Sequence, residues 1–355
     1  MFGVSRKMNR INNITALDAE AMKRAAEKWN SVAKPLHSLG LLEDAVVKIA
    51  GIAGSENFSI RKRCVAAMCA DNGVVCEGVT QTDSGVTAIV AKAMAEGTSN
   101  INCLADCYNA DVIPIDVGMC TDVTADGLIN RKIAYGTKNI AEGPAMTVLQ
   151  AQNAISVGID MVGECKKNGY QIIVTGEMGI GNTTTSSAIA AVLLELPVHE
   201  VTGCGAGLDK EGLRRKISAI ERAIAVNHPD KSNPIELLAA LGGFDIAAMA
   251  GLFLGGAIYR IPIIIDGFIS AAAAAIAYKI APKSRDFMLC SHVSGEPAAR
   301  KILDFIGLEP LITAKMRLGE GTGGIMLLPL LDGAMAVYNS AHRFEELPME
   351  RYVEQ

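Results

Sequence analysis

The chain has 355 residues, half of them apolar, which is enough for one large domain with a smaller one or for two modest domains. Its net charge is −5 and its basic residues are scattered, so nothing points to a nucleic acid or an anionic membrane as partner. A small metabolite suits such a chain better.

The cysteines and the amino-terminal residues predict a cytoplasmic protein. Nine cysteines form an odd number without a Cys-x-x-Cys pair, and most lie in apolar stretches, so we interpret them as buried thiols in a reducing compartment. The basic residues near Met1 are not followed by the apolar core of a signal peptide. The apolar run at residues 246–259 is shorter than the ~18 residues that span a bilayer, so no membrane helix is expected.

The first part of the chain is predicted to be helical. Over residues 18–33, small and apolar residues recur three and four apart, as on one face of an amphipathic helix. A second helix is predicted over Leu41–Ala53, after a turn that contains Pro35 and Gly40. The polar connector at residues 54–60 then predicts a domain boundary near residue 58.

Strands and helices alternate through most of the remaining chain. Short apolar runs predict strands, and longer runs with helical spacing predict helices between them. Strands are expected at residues 64–70, 112–117, 172–175, 261–265 and 287–291, with helices at about 84–96, 148–167, 210–226 and 245–259. Near-continuous apolar strands separated by helices are typical of an α/β fold with a parallel sheet buried on both faces.

Polar residues and glycines follow each predicted strand. Asp71, Asp116, Gly176, Asp266 and Ser291 lie at these strand ends. Ligands of open α/β sheets bind at the carboxyl ends of the strands, so these loops are expected to meet in one crevice.

The loop at residues 176–183 joins a strand end, a glycine-rich turn and a helix start. Gly179 and Gly181 permit positive φ and close backbone approach, and Asn182 or Thr183 can cap the following helix. Free N–H groups at a helix start attract an anion, with phosphate as the first candidate. A tight turn whose glycines serve packing alone explains the pattern equally well. The P-loop and dinucleotide fingerprints do not match, because Gly-Lys-Ser/Thr and a third glycine are missing.

A second glycine-rich turn surrounds Glu320. Gly319 and Gly321 flank this residue, and a very apolar helix is predicted from residue 325 to 338. A carboxylate confined between glycines beside a buried helix suits general-base chemistry. A glutamate that complements the dipole of a helix start is the commoner explanation. The five histidines show no metal-ligand spacing, so no metal site is predicted.

Several segments, in their order along the chain, carry a family resemblance. They are Lys34-Pro35, Cys69-Ala70-Asp71-x-Gly73-Val74, Val86-Thr87-Ala88-Ile89, Asn139-Ile140-Ala141-x-Gly143-Pro144-Ala145-Met146, Gly176-Glu177-x-Gly179-x-x-Asn182-Thr183-Thr184, Gly242-Gly243-Phe244-Asp245, Asp266-Gly267-Phe268 and Arg317-Leu318-Gly319-Glu320-Gly321. In these segments the chain resembles nicotinate-nucleotide:dimethylbenzimidazole phosphoribosyltransferase, from about residue 18 to 338.

The resemblance implies a fold and a reaction. It implies a large Rossmann-like domain at residues 59–325 and a small helical domain formed by residues 1–58 and 326–355. The implied reaction transfers 5-phosphoribose from nicotinate mononucleotide to the lower-ligand base of a cobamide, with inversion from β to α at C1′ and release of nicotinate. No metal or redox cofactor takes part in the family reaction. Family members act as dimers, so a homodimer or a heterodimer with a paralogue is expected.

The resemblance also implies roles for residues on the nucleotide side. Glu320 matches the catalytic base that takes a proton from the acceptor, Lys216 looks like a cation near the phosphate, and Glu177 looks like a ribose-side carboxylate. Ser294 matches a residue beside the nicotinate ring, although a capping serine explains it equally well. The nucleotide site thus comprises Gly176, Glu177, Met178, Gly179, Ile180, Gly181, Asn182, Thr183, Lys216 and Ser294.

The acceptor side departs from the family pattern. Asn72, Thr82 and Val90 stand where that pattern has histidine, serine and glutamine, and Leu318 completes the predicted acceptor pocket. Such a pocket offers fewer hydrogen bonds to a benzimidazole, so purines and phenols become alternative acceptors. The missing glutamine modestly favours a phenol.

Two other functions stay open at this point. One is a catalytically weak paralogue that serves as the partner subunit of an active copy, although Glu320, Glu177 and the glycine loop are all present. The other is a kinase-like or dehydrogenase-like nucleotide-binding module, which the missing fingerprints make remote.

Overall fold

The structure is a computed structural model that describes residues 10–352. Residues 1–9 and 353–355 lie outside the described residues. The expectation about an amino-terminal leader and the outer parts of the ranges 1–58 and 326–355 concern these residues. Within residues 10–352, no helix has both the length and the apolar character needed to cross a membrane.

Six strands of the described chain form one parallel sheet. They are β1 Arg63–Ala70, β2 Ala110–Gly118, β3 Ile129–Asn130, β4 Ile172–Met178, β5 Ile263–Ile265 and β6 Met288–Cys290. Their spatial order, β3-β2-β1-β4-β5-β6, is that of the Rossmann fold. The predicted Rossmann-like parallel sheet is therefore confirmed.

Helices connect the strands and flank the sheet. They are α1 Ala19–Ser31, α2 Leu41–Ala53, α3 Gly85–Ala95, α4 Asn100–Cys107, α5 Val148–Lys167, α6 Asn182–Leu194, α7 Val198–Val201, α8 Lys210–Asn227, α9 Pro234–Leu241, α10 Phe244–Tyr259, α11 Phe268–Ile280, α12 Ala299–Ile306, α13 Thr322–Ile325 and α14 Leu327–Ser340. The helix expected at residues 325–338 is present as α14, which begins at Leu327 because a turn at Met326 separates it from the short α13.

The centre of the sheet is covered on both faces. All eight residues of β1 are buried, which accounts for the unbroken apolar run that follows Arg63. On one side α5 and α10 cross at Gly158 and Gly251, where a Cβ atom on either glycine would collide with the backbone of the other helix. Small residues at this crossing therefore set how closely the two helices approach.

Helices from both ends of the described chain pack together. Trp29 on α1 and Tyr338 on α14 have ring centroids 5.1 Å apart, and Val46 of α2 belongs to the same apolar cluster. The Tyr338 hydroxyl donates a hydrogen bond to the carbonyl of Glu56 at 2.9 Å. This grouping supports the proposed small helical domain, and the division into two domains remains a prediction.

The expectation that most cysteines are buried is wrong. Cys64, Cys69, Cys165 and Cys290 are buried, whereas Cys76, Cys103, Cys107 and Cys120 are exposed and Cys204 is intermediate. The error is clearest in α4, where the exposed Cys103 and Cys107 lie four residues apart on one helix face. Apolar neighbours in sequence do not reveal which face of a helix a residue occupies.

Candidate active site

A cavity of about 230 Å³ opens at the carboxyl ends of β4, β5 and β6. Its walls come from residues 177–183 at and after the end of β4, residues 266–270 after β5, and residues 292 and 294 after β6. Val90, Glu296 and parts of residues 79–82, 204–208 and 316–323 complete the lining. The expected crevice at the strand ends is therefore present.

Two of the strand-end carboxylates expected in the crevice do not line it. Asp71 accepts a hydrogen bond from the backbone N–H of Cys120 at 2.7 Å. Asp116 accepts from the N–H groups of Gly118 and Met119 at 3.0 and 2.9 Å. Both side chains are used to fix the loop after β2, which is a role that their positions at strand ends did not reveal.

The glycine loop after β4 is tightly fitted against its neighbours. Gly181 has φ +93° and precedes the first residue of α6, while a Cβ on Gly179 would lie 2.6 Å from the carbonyl oxygen of Ala70. The glycines are therefore required for packing and conformation, whatever the loop binds. Met178, Ile180 and Thr183 are among the loop residues that line the cavity.

The expectation that Asn182 or Thr183 caps α6 is wrong. The cap residue is Gly181, and α6 begins at Asn182 without a side-chain cap. The Asn182 amide instead donates to Asp245 Oδ2 at 3.0 Å and to Glu177 Oε2. The Asn182 side chain thus binds two buried carboxyl groups and does not cap the helix.

Glu177 lies on the cavity wall but is 6 % exposed. Burial raises the pKa of its carboxyl to about 8, against the opposing effect of the hydrogen bond from Asn182, and the nearby carboxylates of Asp245 and Asp266 raise it further. Burial also raises the pKa of Asp245 to about 6. The site therefore favours a protonated Glu177 near neutral pH when no ligand is bound.

Lys216 approaches the glycine loop from behind. This fully buried lysine on α8 donates from Nζ to Thr183 Oγ1 at 2.9 Å and to the carbonyl of Gly203 at 3.1 Å. Burial lowers the pKa of its ammonium group to about 8, while the Glu296 carboxylate opposes that shift. Lys216 does not itself line the cavity but contacts Thr183, which does.

Glu320 occupies a strained turn of the cavity wall that packs against Gly176 and Glu177. Gly319, Glu320 and Gly321 have φ values of +85°, +63° and +95°, so three consecutive residues are left-handed. Only glycine adopts this conformation without cost, which explains the two glycines of the motif. Asp266 holds the following chain, because its carboxylate accepts from the N–H groups of Gly321 at 3.3 Å and Gly324 at 2.7 Å.

The carboxylate of Glu320 contacts the start of α4. Its Oε1 accepts from Asn100 Nδ2 at 3.1 Å, and its Oε2 accepts from the backbone N–H of Ile101 at 3.2 Å. The idea that this glutamate complements a helix dipole is therefore partly right, but the helix is α4 and not the one that follows Glu320.

The predicted acceptor and nicotinate residues divide into two groups. Thr82, Val90, Leu318 and Ser294 line the cavity. Asn72 does not line it: this residue is 1 % exposed, and its side chain lies behind the glycine loop, where it accepts from Thr185 Oγ1 at 3.4 Å.

Several cavity residues were not among the predicted site residues. Gln81 lines the cavity and donates from its amide to the carbonyl of Gly207, which joins two loops of the wall. His292 and Asp266 lie together on the floor, where burial lowers the pKa of the imidazole and raises that of the carboxyl. Both residues directly follow predicted strands, and this position is the sequence feature that could have identified them as site residues. Among residues 10–352, no three His, Cys, Asp or Glu side chains are grouped to hold a metal ion.

Comparisons with known proteins show which family the chain resembles over nearly its whole length. Residues 14–347 match the model of a phosphoribosyltransferase family. The chain is 46% identical to nicotinate-nucleotide–dimethylbenzimidazole phosphoribosyltransferase from Ruminiclostridium cellulolyticum, over 96% of this chain and 97% of that protein. It is also 46% identical to the enzyme of that name from Clostridium acetobutylicum, over 97% and 98% of the two chains. The crystal structure of CobT from Thermus thermophilus superimposes with a TM-score of 0.89 at 36% identity, covering 94% of this chain and 100% of that one.

Proposed function

The chain belongs to the nicotinate-nucleotide–dimethylbenzimidazole phosphoribosyltransferase family, and we propose that it transfers 5-phosphoribose from nicotinate mononucleotide to an aromatic lower-ligand base of a cobamide. One observation carries this proposal: a single cavity brings together the glycine loop, Glu177 and Glu320. The products are nicotinate and an α-ribotide.

The glycine loop and α6 are the proposed binding site of the 5′-phosphate. The N–H groups of Ile180, Asn182 and Thr184 already bond to Thr87, Gly179 and Gly181. The N–H groups of Gly181 and Thr183 therefore are the proposed backbone donors, supported by the positive end of the α6 dipole. Lys216 adds a positive charge directly behind Thr183.

Glu320 is the proposed general base. The C1′–N bond to the nicotinate ring breaks, nicotinate leaves with the bonding electron pair, and the acceptor attacks the opposite face of C1′. The acceptor proton passes to the Glu320 carboxylate, which the strained turn presents at the cavity wall. Glu177 is proposed to bind the ribose hydroxyls, and Ser294 to lie beside the nicotinate ring.

The proposed acceptor is dimethylbenzimidazole or a phenol, with purines as a further alternative. Val90 and Leu318 give the cavity wall apolar surface where a benzimidazole nitrogen would require a partner. A phenol has one hydroxyl, which can face Glu320 while its ring needs only apolar contact. Thr82 and Gln81 also line the cavity and could donate to a benzimidazole, which supports the family acceptor.

We further propose that the protein acts as a dimer, either with itself or with a paralogue. The deciding experiment incubates the purified protein with nicotinate mononucleotide alone and then with dimethylbenzimidazole, phenol or adenine, and measures released nicotinate by chromatography. Release that depends on the acceptor supports the transferase. A catalytically weak partner subunit would show release only after a paralogue is added, and sedimentation velocity would report the assembly state.

A further inference from the structure

The proposed base is held at both ends of its side chain. Its backbone is fixed by the contacts of Asp266 with the turn, and its carboxylate is fixed by Asn100 and the N–H of Ile101. Each carboxylate oxygen therefore accepts one hydrogen bond from the start of α4. Because a carboxylate oxygen has two lone pairs, each keeps one that can receive a proton.

The start of α4 is itself rigidly built. Ser99 and Asn102 form a capping box, in which Ser99 Oγ donates to Asn102 Oδ1 at 2.6 Å and the backbone N–H of Ser99 reaches the same oxygen at 3.3 Å. Asn102 also donates from Nδ2 to the carbonyl of Met94 at 3.2 Å, which ties α4 to α3. Asn100 has no part in this box, so its amide is free to serve Glu320.

We propose that Asn100 is a positioning residue for the base, in that its amide and the N–H of Ile101 orient the Glu320 carboxylate toward the acceptor. A glutamate has three rotatable side-chain bonds, and holding it in one orientation removes a cost that would otherwise fall on the transition state. This inference rests on the proposed function, because it presupposes that Glu320 is the base.

The position of Asn100 makes the proposal testable without unfolding the protein. Asn100 is exposed and does not line the cavity, so replacing it leaves the apolar core and the substrate contacts in place. Its effect is expected on kcat, with the KM for nicotinate mononucleotide within about twofold of wild type. Loss of a hydrogen bond to a charged group predicts about a tenfold decrease in kcat for Asn100→Ala.

Asn100→Asp is the sharper variant, because it replaces the donor by a second carboxylate beside Glu320. Like charges at this distance repel, so its kcat should fall further than that of Asn100→Ala. Cys107→Ser is the matched control, because it changes an exposed side chain at the far end of α4 and leaves the capping box intact. It should keep kcat within about twofold of wild type.

A double-mutant cycle separates positioning from general damage to the fold. In a Glu320→Gln background, Asn100→Ala should cause no further decrease, since there is no carboxylate left to orient. An equal decrease in both backgrounds, or wild-type kcat in Asn100→Ala, would overturn the positioning role. If Glu320→Gln alone retains wild-type turnover, the base lies elsewhere, which is a failure of the proposed function and is recognised by that single variant.

Discussion

The side-chain amide of Asn182 bridges two buried carboxyl groups, since it donates to Asp245 Oδ2 at 3.0 Å and also to Glu177 Oε2. A neutral amide cannot neutralise two negative charges. Burial raises the pKa of both groups, to about 6 for Asp245 and to about 8 for Glu177. The wall of the cavity is thus most stable with a proton on at least one of them.

The stability of the free protein should therefore depend on Glu177 and on pH. The folded protein keeps the Glu177 proton up to about pH 8, whereas the unfolded chain releases it near the ordinary pKa of 4.5. The folded state holds more protons in this window, so the contribution of Glu177 is fully present below about pH 4.5 and is lost as pH rises through 8. In urea unfolding at several pH values, the free energy of unfolding should decrease less with rising pH in Glu177→Gln than in wild type. An equal pH dependence of the free energy of unfolding in the two proteins would contradict this prediction. Glu221→Gln, a change at an exposed glutamate, serves as the control.

Removing the carboxylate of Glu320 should slow the reaction and leave nucleotide binding intact. A general base contributes ~10²–10⁴ to the rate, so Glu320→Gln and Glu320→Ala should lose about that factor in kcat. Calorimetric titration with nicotinate mononucleotide should give an affinity close to wild type. Turnover within about threefold of wild type would show that another group takes the proton.

Thr183 offers a cleaner test of the phosphate site than the glycines do. A Cβ on Gly181 would lie 2.9 Å from a methyl group of Val75, so a substitution there would disturb the fold as well as the ligand. Thr183→Val removes only the hydroxyl that Lys216 contacts, and should weaken nicotinate mononucleotide binding about tenfold.

The neighbouring Thr184 provides the matched control for that variant. Its hydroxyl is buried, and no hydrogen-bond partner for it is found among the described residues. Thr184→Val should therefore leave nucleotide affinity unchanged and keep or increase thermal stability, since an unpaired buried hydroxyl is costly. Equal affinities for Thr183→Val and Thr184→Val would show that the contact between Lys216 and the Thr183 hydroxyl adds nothing to phosphate binding.

The acceptor preference should respond to Val90. An unpaired buried nitrogen costs ~1–3 kcal/mol, so phenol or a methylphenol should be accepted with a kcat/KM comparable to that of dimethylbenzimidazole. Val90→Gln should shift the ratio of the two values toward dimethylbenzimidazole by about tenfold. Lys92→Gln, an exposed change on the same helix, should not shift it. No phenol turnover in the wild-type protein, with any partner subunit present, would rule out the phenol.

Tyr338 tests the packing between the two ends of the chain. Tyr338→Phe keeps the ring against Trp29 but removes the hydrogen bond to the Glu56 carbonyl, and should lower the free energy of unfolding by ~1 kcal/mol. Tyr338→Ala also loses the ring and should cost ~3–5 kcal/mol. Denaturant unfolding measures both, and an unchanged midpoint for Tyr338→Ala would show that α14 adds little to stability.

The sequence was most informative where local pattern and burial agree. The apolar runs of β1, β2 and β4 predict the centre of the sheet, and the flanking glycines of Glu320 predict a confined turn there, although not its left-handed backbone. Contacts between distant segments leave no such pattern. Nothing near Asn100 in sequence indicates that its amide contacts Glu320. Asn182 is of a residue type that commonly caps helices, but its contacts with Asp245 and Glu177 determine its role.

The strand order also dictates when the protein can become active during its synthesis. At the centre of the sheet Arg63 of β1 pairs with Ile172 of β4, so the nascent chain cannot close this sheet until β4 has left the ribosome. The Glu320 turn follows every strand, and α14, which covers part of the apolar core, comes later still. A chain that stops before residue 319 would carry the glycine loop but lack the proposed base, and would leave apolar surface open to chaperones or to aggregation.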